Sequence, residues 1–151
     1  MTEIIVDADG CPVKEEIYRV ARRYGMKVTL VANSWMRVPD EKGIELVVVG
    51  ERFDAADDWI AQRASRNDVV VSADIPLAAR CLENGARVLG PRGREFTDDS
   101  IGEALASREL QVHLRELGTM TGGPAPLEKK DRSRFLQRLD AIIQSVRRGS
   151  D

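Results

Sequence analysis

One histidine, His113, and two cysteines, Cys11 and Cys81, are the only imidazole and thiol metal ligands in 151 residues. A histidine-cluster metal site therefore cannot be built within one chain. A Ser-His-Asp triad would depend on His113, which lies in a charged helical stretch with no nucleophile motif beside it. The two cysteines are far apart and lack CxxC spacing; they read as small buried hydrophobes, although Cys11 sits beside an acidic loop and is also a candidate near-site thiol. No apolar run is long enough to span a bilayer, and the longest, such as 46–49, are strand-sized. No basic segment precedes Ile4-Ile5-Val6, so the start does not read as a signal peptide. A reduced, cytoplasmic setting without a membrane is the expectation. Low-complexity tracts and internal repeats are also missing. If the chain is an enzyme, carboxylates must do the work.

What is present is the length of about one ordinary domain, 42% hydrophobic and 32% charged, enough to bury a core without disulfides. Residues 3–8 read as a strand, and Pro12 suits the first turn of a following helix. Val13, Ile17, Val20, Ala21 and Tyr24 repeat at helical spacing, and Gly25 ends the run. Residues 27–32, 44–49, 68–72 and 86–89 read as further strands. Helices are predicted at 54–65 and 76–83. Short, continuously apolar strands alternating with helices mark a mostly parallel sheet covered on both faces, of about five strands.

From residue 96 the pattern is helical, with one helix from Asp98 or Asp99 to Ser107 and another over 109–117. A loop at 121–126 follows, and a last amphipathic helix carries Phe135, Leu136, Leu139, Ile142, Ile143 and Val146. That stripe is expected to dock on the body or to form a homodimer contact. The organisation expected is a core of about 1–95 with a helical extension of about 96–151 docked on it.

Charge is uneven. Residues 128–151 hold seven Lys/Arg against four acids, +3 in a chain of net −2. A basic tail on an acidic body is compatible with touching phosphates and equally with a solvated helix.

In an open parallel sheet, ligands bind beyond the carboxyl ends of the strands, where the strand order reverses. Asp7 and Asp9 finish the first strand, and Asp74 follows the fourth. With order 3-2-1-4-5, strands one and four are neighbours and these carboxylates converge. Crowded carboxylates raise one another's pKa, a conflict that a bound Mg²⁺ or Mn²⁺ removes. Simpler readings stand beside this one: Asp9-Gly10 is good turn chemistry, Asp9 also suits a helix cap, and Asp74 suits the helix start before Pro76. Asp7 interrupts an apolar run, where an unpaired carboxylate is costly. Asp54, Asp57 and Asp58 occupy a first helical turn, where acids complement the dipole. Asn33, Ser34 and Ser72 lie just past strand ends and could orient a water or phosphate. Lys14, Lys129, Lys130 and Arg132 are candidate phosphate contacts. Trp35 could stack a base, but at a loop edge it reads more simply as partial core; Trp59 reads as core.

Val6-Asp7-Ala8-Asp9-Gly10-Cys11-Pro12-Val13-Lys14 resembles the N-terminal signature of the YaiI/YqxD family of uncharacterised bacterial proteins. So do Asp54-Ala55-Ala56-Asp57-Asp58-Trp59-Ile60, Ser72-Ala73-Asp74-Ile75-Pro76-Leu77-Ala78, and Gly122-Gly123-Pro124 with Lys130-Asp131-Arg132 and Phe135. That family is similar in turn to PIN-domain nucleases, which implies a three-layer α/β/α fold. The likeness matches Asp7 to an acid after the first strand, Asp57 to one on the helix before the fourth strand, and Asp74 to one just after that strand. Asp9 is an extra carboxylate.

The resemblance implies a Mg²⁺/Mn²⁺-dependent phosphodiesterase, acting on RNA more readily than DNA, with Asp7, Asp57 and Asp74 catalytic and Asp9 a further metal ligand. Two alternatives compete. Asp7-Ala8-Asp9-Gly10 resembles the start of haloacid-dehalogenase-like phosphatases, with Asp7 as nucleophile, but no lysine lies between Lys42 and Lys129. A non-catalytic metal- or RNA-binding module would keep the site without turnover.

Overall fold

In the computed structural model, which describes residues 2–50, 52, 54–116 and 126–149 (side chains of 111–116 excepted), eleven elements follow one another. They are β1 (Glu3–Asp7), α1 (Lys14–Tyr24), β2 (Lys27–Ala32), β3 (Ile44–Val48), α2 (Ala55–Arg63), β4 (Val69–Val71), α3 (Ile75–Glu83), β5 (Arg87–Leu89), β6 (Glu95–Phe96), α4 (Asp98–Glu116) and α5 (Lys129–Arg147). The sheet order is β3-β2-β1-β4-β5-β6. Strands β1 to β5 pair in parallel, and β6 joins antiparallel at the edge. The expected order holds, with one strand more; a two-residue strand leaves no periodicity to read.

Period-two alternation sends side chains to two separate cores. Ile4, Val6, Val28, Leu30, Val69 and Val71 pack with α1 and α5 on one face. Ile5, Val31, Val70 and Val88 pack with α2, α3 and Ala104 of α4 on the other. The fold is therefore a three-layer α/β/α sandwich. The α5 stripe is used within the chain: Phe135, Leu139, Ile142 and Ile143 are fully or almost fully buried in the α1-side core. Each such side chain contributes roughly 1.5–3 kcal/mol by leaving water. Polar contacts fix the pairing at its far end, where Asp140 accepts from the Tyr24 hydroxyl at 2.7 Å and pairs with Arg23.

Three expectations change. Pro12 precedes the helix instead of entering it, because α1 starts at Lys14 with Val13 at its cap position. The two helices expected after residue 96 are one continuous α4, since no glycine or proline interrupts Ser107-Arg108-Glu109. Its start is capped by Thr97, whose Oγ1 accepts from the Ser100 amide at 3.2 Å while Ser100 Oγ accepts from the Thr97 amide at 3.0 Å; Asp98 and Asp99 occupy its first turn. The 117–125 stretch, with Gly122-Gly123-Pro124, lies outside the described residues. Among the described residues, no helix is long and apolar enough to cross a membrane.

Two loops owe their shape to glycine. Gly10 has φ +75°, inside a turn closed by Cys11 N–H donating to Ala8 C=O at 3.2 Å. Gly93 has φ +88°, and a Cβ there would stand 2.7–2.9 Å from Arg134 and the Phe135 backbone. The loop after β5 thus lies directly on α5.

Candidate functional site

The strand order reverses between β1 and β4, and their carboxyl ends open into a cleft of about 320 Å³. Asp7, Asp9, Cys11, Ser72, Asp74 and Pro91 are among its walls. Asp7 is the last residue of β1 and is half-buried. Its Oδ2 accepts from the buried Ser72 hydroxyl at 2.9 Å. Ser72 Oγ in turn accepts from the Asp74 amide at 3.0 Å. One hydroxyl therefore locks the end of β1 to the turn after β4, and its hydrogen is committed to Asp7.

Asp74 has two duties. Its Oδ1 accepts from the Leu77 amide at 3.0 Å and caps α3, so the helix-start reading was sound. The same carboxylate also lies close enough to Asp7 and Asp57 to repel both. Asp57, on α2, is not among the cleft walls but lies within electrostatic reach of Asp74 and Asp7. Burial and the charges of Asp74 and Asp7 push its carboxyl up to about 6, against a weaker opposing pull from Arg80. The Asp7 carboxyl is also raised, first by burial, and further by Asp74 and Asp9, despite the Ser72 hydrogen bond. Among the described residues, none of Asp7, Asp9, Asp57 and Asp74 forms an ion pair with lysine or arginine. Neighbouring Asp58 differs: it is held by Arg52 at 2.9 Å and Arg80 at 3.0 Å. Consecutive helix positions point in different directions, and Asp58, not Asp57, bonds the two arginines.

Carboxylates at the opposite end of the sheet are compensated. Buried Glu3 accepts from Thr29 Oγ1 and Arg63 Nε, each at 2.8 Å. Buried Asp68 accepts from the Glu3 and Ser65 amides and the Ser65 hydroxyl. Asp7, Asp57 and Asp74, by contrast, are half-buried without an ion pair among the described residues, at the edge where ligands bind in such sheets.

Asp9 does not cap α1. It is exposed, and its Oδ2 accepts from the Asn33 amide at 2.8 Å, tying the loop after β2 to the cleft. The Asn33 side-chain Oδ1 is buried without a hydrogen-bond partner among the described residues. Such an orphaned acceptor is rare and calls for a missing donor or cation. Ser34 is exposed beside it, and Trp35 is 75% exposed, which corrects its reading as partial core. No apolar neighbour is available in the polar run Asn33-Ser34 to cover the ring. Trp59 is half-buried under Arg63, whose guanidinium lies 5.5 Å from the ring.

The basic candidates scatter. Lys14 Nζ donates to the Cys11 carbonyl at 3.0 Å, close behind the cleft. Lys130 pairs with Glu128 at 3.3 Å, and Lys129 is exposed at the start of α5. Arg132 donates to the Pro12 carbonyl at 2.7 Å and pairs with Glu16 at 3.4 Å. Asp131 accepts from Arg92 and from the Glu128 amide, each at 2.9 Å, which hold its carboxyl below the usual range. The first turn of α5 therefore grips both loops that flank the cleft, one through Pro12 and one through Arg92. The Lys130-Asp131-Arg132 motif pointed to this segment, but only the structure gives its partners.

Chemically, Asp7 and Asp74 each keep one carboxylate oxygen unpartnered, and Asp57 keeps both, among the described residues. Among those residues, no three His, Cys, Asp or Glu side chains are gathered as a ready-made metal-ion cluster. The set is one of hard oxygen donors held apart and short of positive charge.

A family model described as "Uncharacterized BCR, YaiI/YqxD family" matches residues 5–145. The chain is 57% identical to a UPF0178 protein of Rhodospirillum centenum over 99% of both chains. It is 58% identical to a UPF0178 protein of Sphingopyxis alaskensis over 97% of this chain and 96% of that one. A UPF0178 protein of Nitrobacter winogradskyi is 54% identical over 96% and 92%.

Proposed function

This chain belongs to the YaiI/YqxD family of uncharacterised bacterial proteins, and from its acidic cleft we propose a Mg²⁺- or Mn²⁺-dependent phosphodiesterase that acts on RNA. The observation that carries the reading is the mutual repulsion of Asp7, Asp57 and Asp74, none of them in an ion pair among the described residues, with the Asp57 carboxyl pushed up to about 6 by burial and by the other two. Repelling carboxylates at a sheet's ligand-binding edge fit a hard dication. The orphaned Asn33 Oδ1 supplies a further oxygen at the same edge. The cluster resembles the three-acid arrangement of PIN-domain nucleases, with Asp9 as the extra member.

Asp7, Asp57 and Asp74 would hold the ion, with Asp9 beside them. Bound there, a divalent ion supplies an acidic water and neutralises charge on the leaving oxygen. Ser72 keeps Asp7 oriented by its hydrogen bond, and the α3 cap keeps Asp74 in place. Lys14, Ser34, Lys129 and Lys130 are candidate contacts for the nucleic-acid backbone. The phosphatase alternative is disfavoured because no lysine lines the cleft among the described residues.

The test is cleavage of a labelled single-stranded RNA in Mn²⁺ against EDTA. Asp7→Asn and Asp74→Asn are each expected to lower the rate at least 100-fold. Unchanged cleavage in both variants assigns the activity to a contaminant. Metal-dependent RNA binding with no cleavage by the parent protein assigns a non-catalytic binding role.

A further inference from the structure

The loop after β2 carries features that a metal site alone does not use. Trp35, Val48 and Leu110 are the exposed large apolar side chains among the described residues, and Trp35 is the most exposed. Val48 pairs in register with Ala32, the residue that leads into this loop. Two of the three therefore sit at one corner of the sheet. Arg37, two residues past Trp35, is exposed and has no ion-pair partner among the described residues.

This corner adjoins the cleft. The Asn33 amide is bonded to Asp9, a cleft wall. Two residues of chain span at most about 7 Å, so the Trp35 backbone stays within that distance of Asn33. The exposed indole and the exposed guanidinium thus stand on a loop that starts at a residue bonded to a cleft wall.

We propose that this loop is a base-stacking subsite for single-stranded RNA. Trp35 takes the face of one nucleobase, and Arg37 contacts the phosphate next to it. The adjoining phosphate lies towards the Asp7–Asp74 cleft. A protein partner would need a broad apolar patch, typically several hundred Å², whereas this corner offers one ring and one valine in a polar loop. A single ring beside a cation matches the stacking and backbone contacts by which single strands are held without sequence preference. The subsite deepens the proposed function and rests on the cleft receiving RNA.

The chain has two tryptophans, so Trp59→Phe leaves Trp35 as the sole reporter. Its fluorescence is titrated with a short oligouridylate in Ca²⁺ buffer, which neutralises the carboxylates. The control is a strand of equal length with abasic sites. The oligouridylate is expected to quench saturably and the abasic strand to leave the emission unchanged. Trp35→Ala should weaken binding about 5- to 100-fold, measured by anisotropy, with Trp35→Phe retaining most of it. Equal quenching by the abasic strand, or Trp35→Ala binding within twofold of the parent, overturns the subsite. Metal-dependent cleavage persisting in that case leaves the cleft reading intact. Stacking without cleavage by the parent overturns the nuclease reading and supports the subsite. Self-association lost in Trp35→Ala, with RNA binding unaffected, overturns the subsite in favour of a protein contact.

Discussion

Asp57→Asn should make the metal-free protein more stable at alkaline pH, although it alters the proposed site. The Asp57 carboxyl is pushed up to about 6 in the fold, against an ordinary 3.8. A group raised on folding adds most stability below its unfolded pKa and loses that contribution as pH climbs through the folded one. The window is therefore about pH 4 to 6. At 1.36 kcal/mol per unit the full shift corresponds to about 3 kcal/mol. Asp57 is partly open to water, and solvent screening reduces this to about 1–1.5 kcal/mol. Asparagine keeps the shape, cannot ionise, and forfeits no hydrogen bond, since Asp57 accepts none among the described residues. Urea unfolding in EDTA at pH 8 should show the variant ahead by about 1–1.5 kcal/mol, or a Tm gain of roughly 2–6 °C. At about pH 3, below the unfolded pKa, the gap should shrink to a small fraction. Mn²⁺ should reverse the order at pH 8, because an ion that binds only the folded parent at 100 times its Kd adds about 2.7 kcal/mol. A variant less stable than the parent in EDTA at pH 8, or a gap equal at both pH values, would refute the electrostatic reasoning.

Other perturbations probe the frame. Gly93→Ala forces a Cβ against α5 in a left-handed turn and should cost about 1–3 kcal/mol in thermal or urea unfolding. Leu139→Ala, fully buried between α5 and the sheet, should cost about 2–5 kcal/mol by the same measurement. Arg132→Ala removes the tie to Pro12; a stability loss near 1 kcal/mol is expected, together with weaker Mn²⁺ binding by calorimetry despite the distance from the carboxylates. Burial raises the Cys11 thiol and pushes Cys81 up to about 12, so mass spectrometry should find both slow to alkylate at pH 7.5 in the folded state and fast in urea.

Strand order was legible because five short apolar runs each hand over to a helix or loop, leaving few right-handed parallel arrangements. Asp7 was legible because a carboxylate closing an apolar strand stands out. Asp57 was not: its charge looks like that of Asp54 and Asp58, and only the motif resemblance separated it before the geometry did. Asp9 shows why the rest stays hidden. A turn residue, a cap and a long-range tie need the same side chain, and Asn33 is 24 positions away. The orphaned Asn33 Oδ1 and the Arg92–Asp131 bond are likewise three-dimensional facts with no local pattern. Trp35 was misread because sequence assigns a tryptophan by its usual habit, whereas exposure depends on which neighbours the loop lacks.

The grip of α5 on both cleft loops also sets an order of events in time. A chain emerging from the ribosome releases β1, α1 and β2 a hundred residues or more before Arg132 and Phe135. The strands can pair early, yet the outer flank of α1 stays bare until the last helix arrives. Contacts of such long sequence separation slow the final step. The nascent protein therefore spends its last stage of synthesis with the apolar side of α1 uncovered and with the Pro12 loop still without its tie to Arg132. The flank of the cleft that α5 holds is thus the last part of the fold to be fixed.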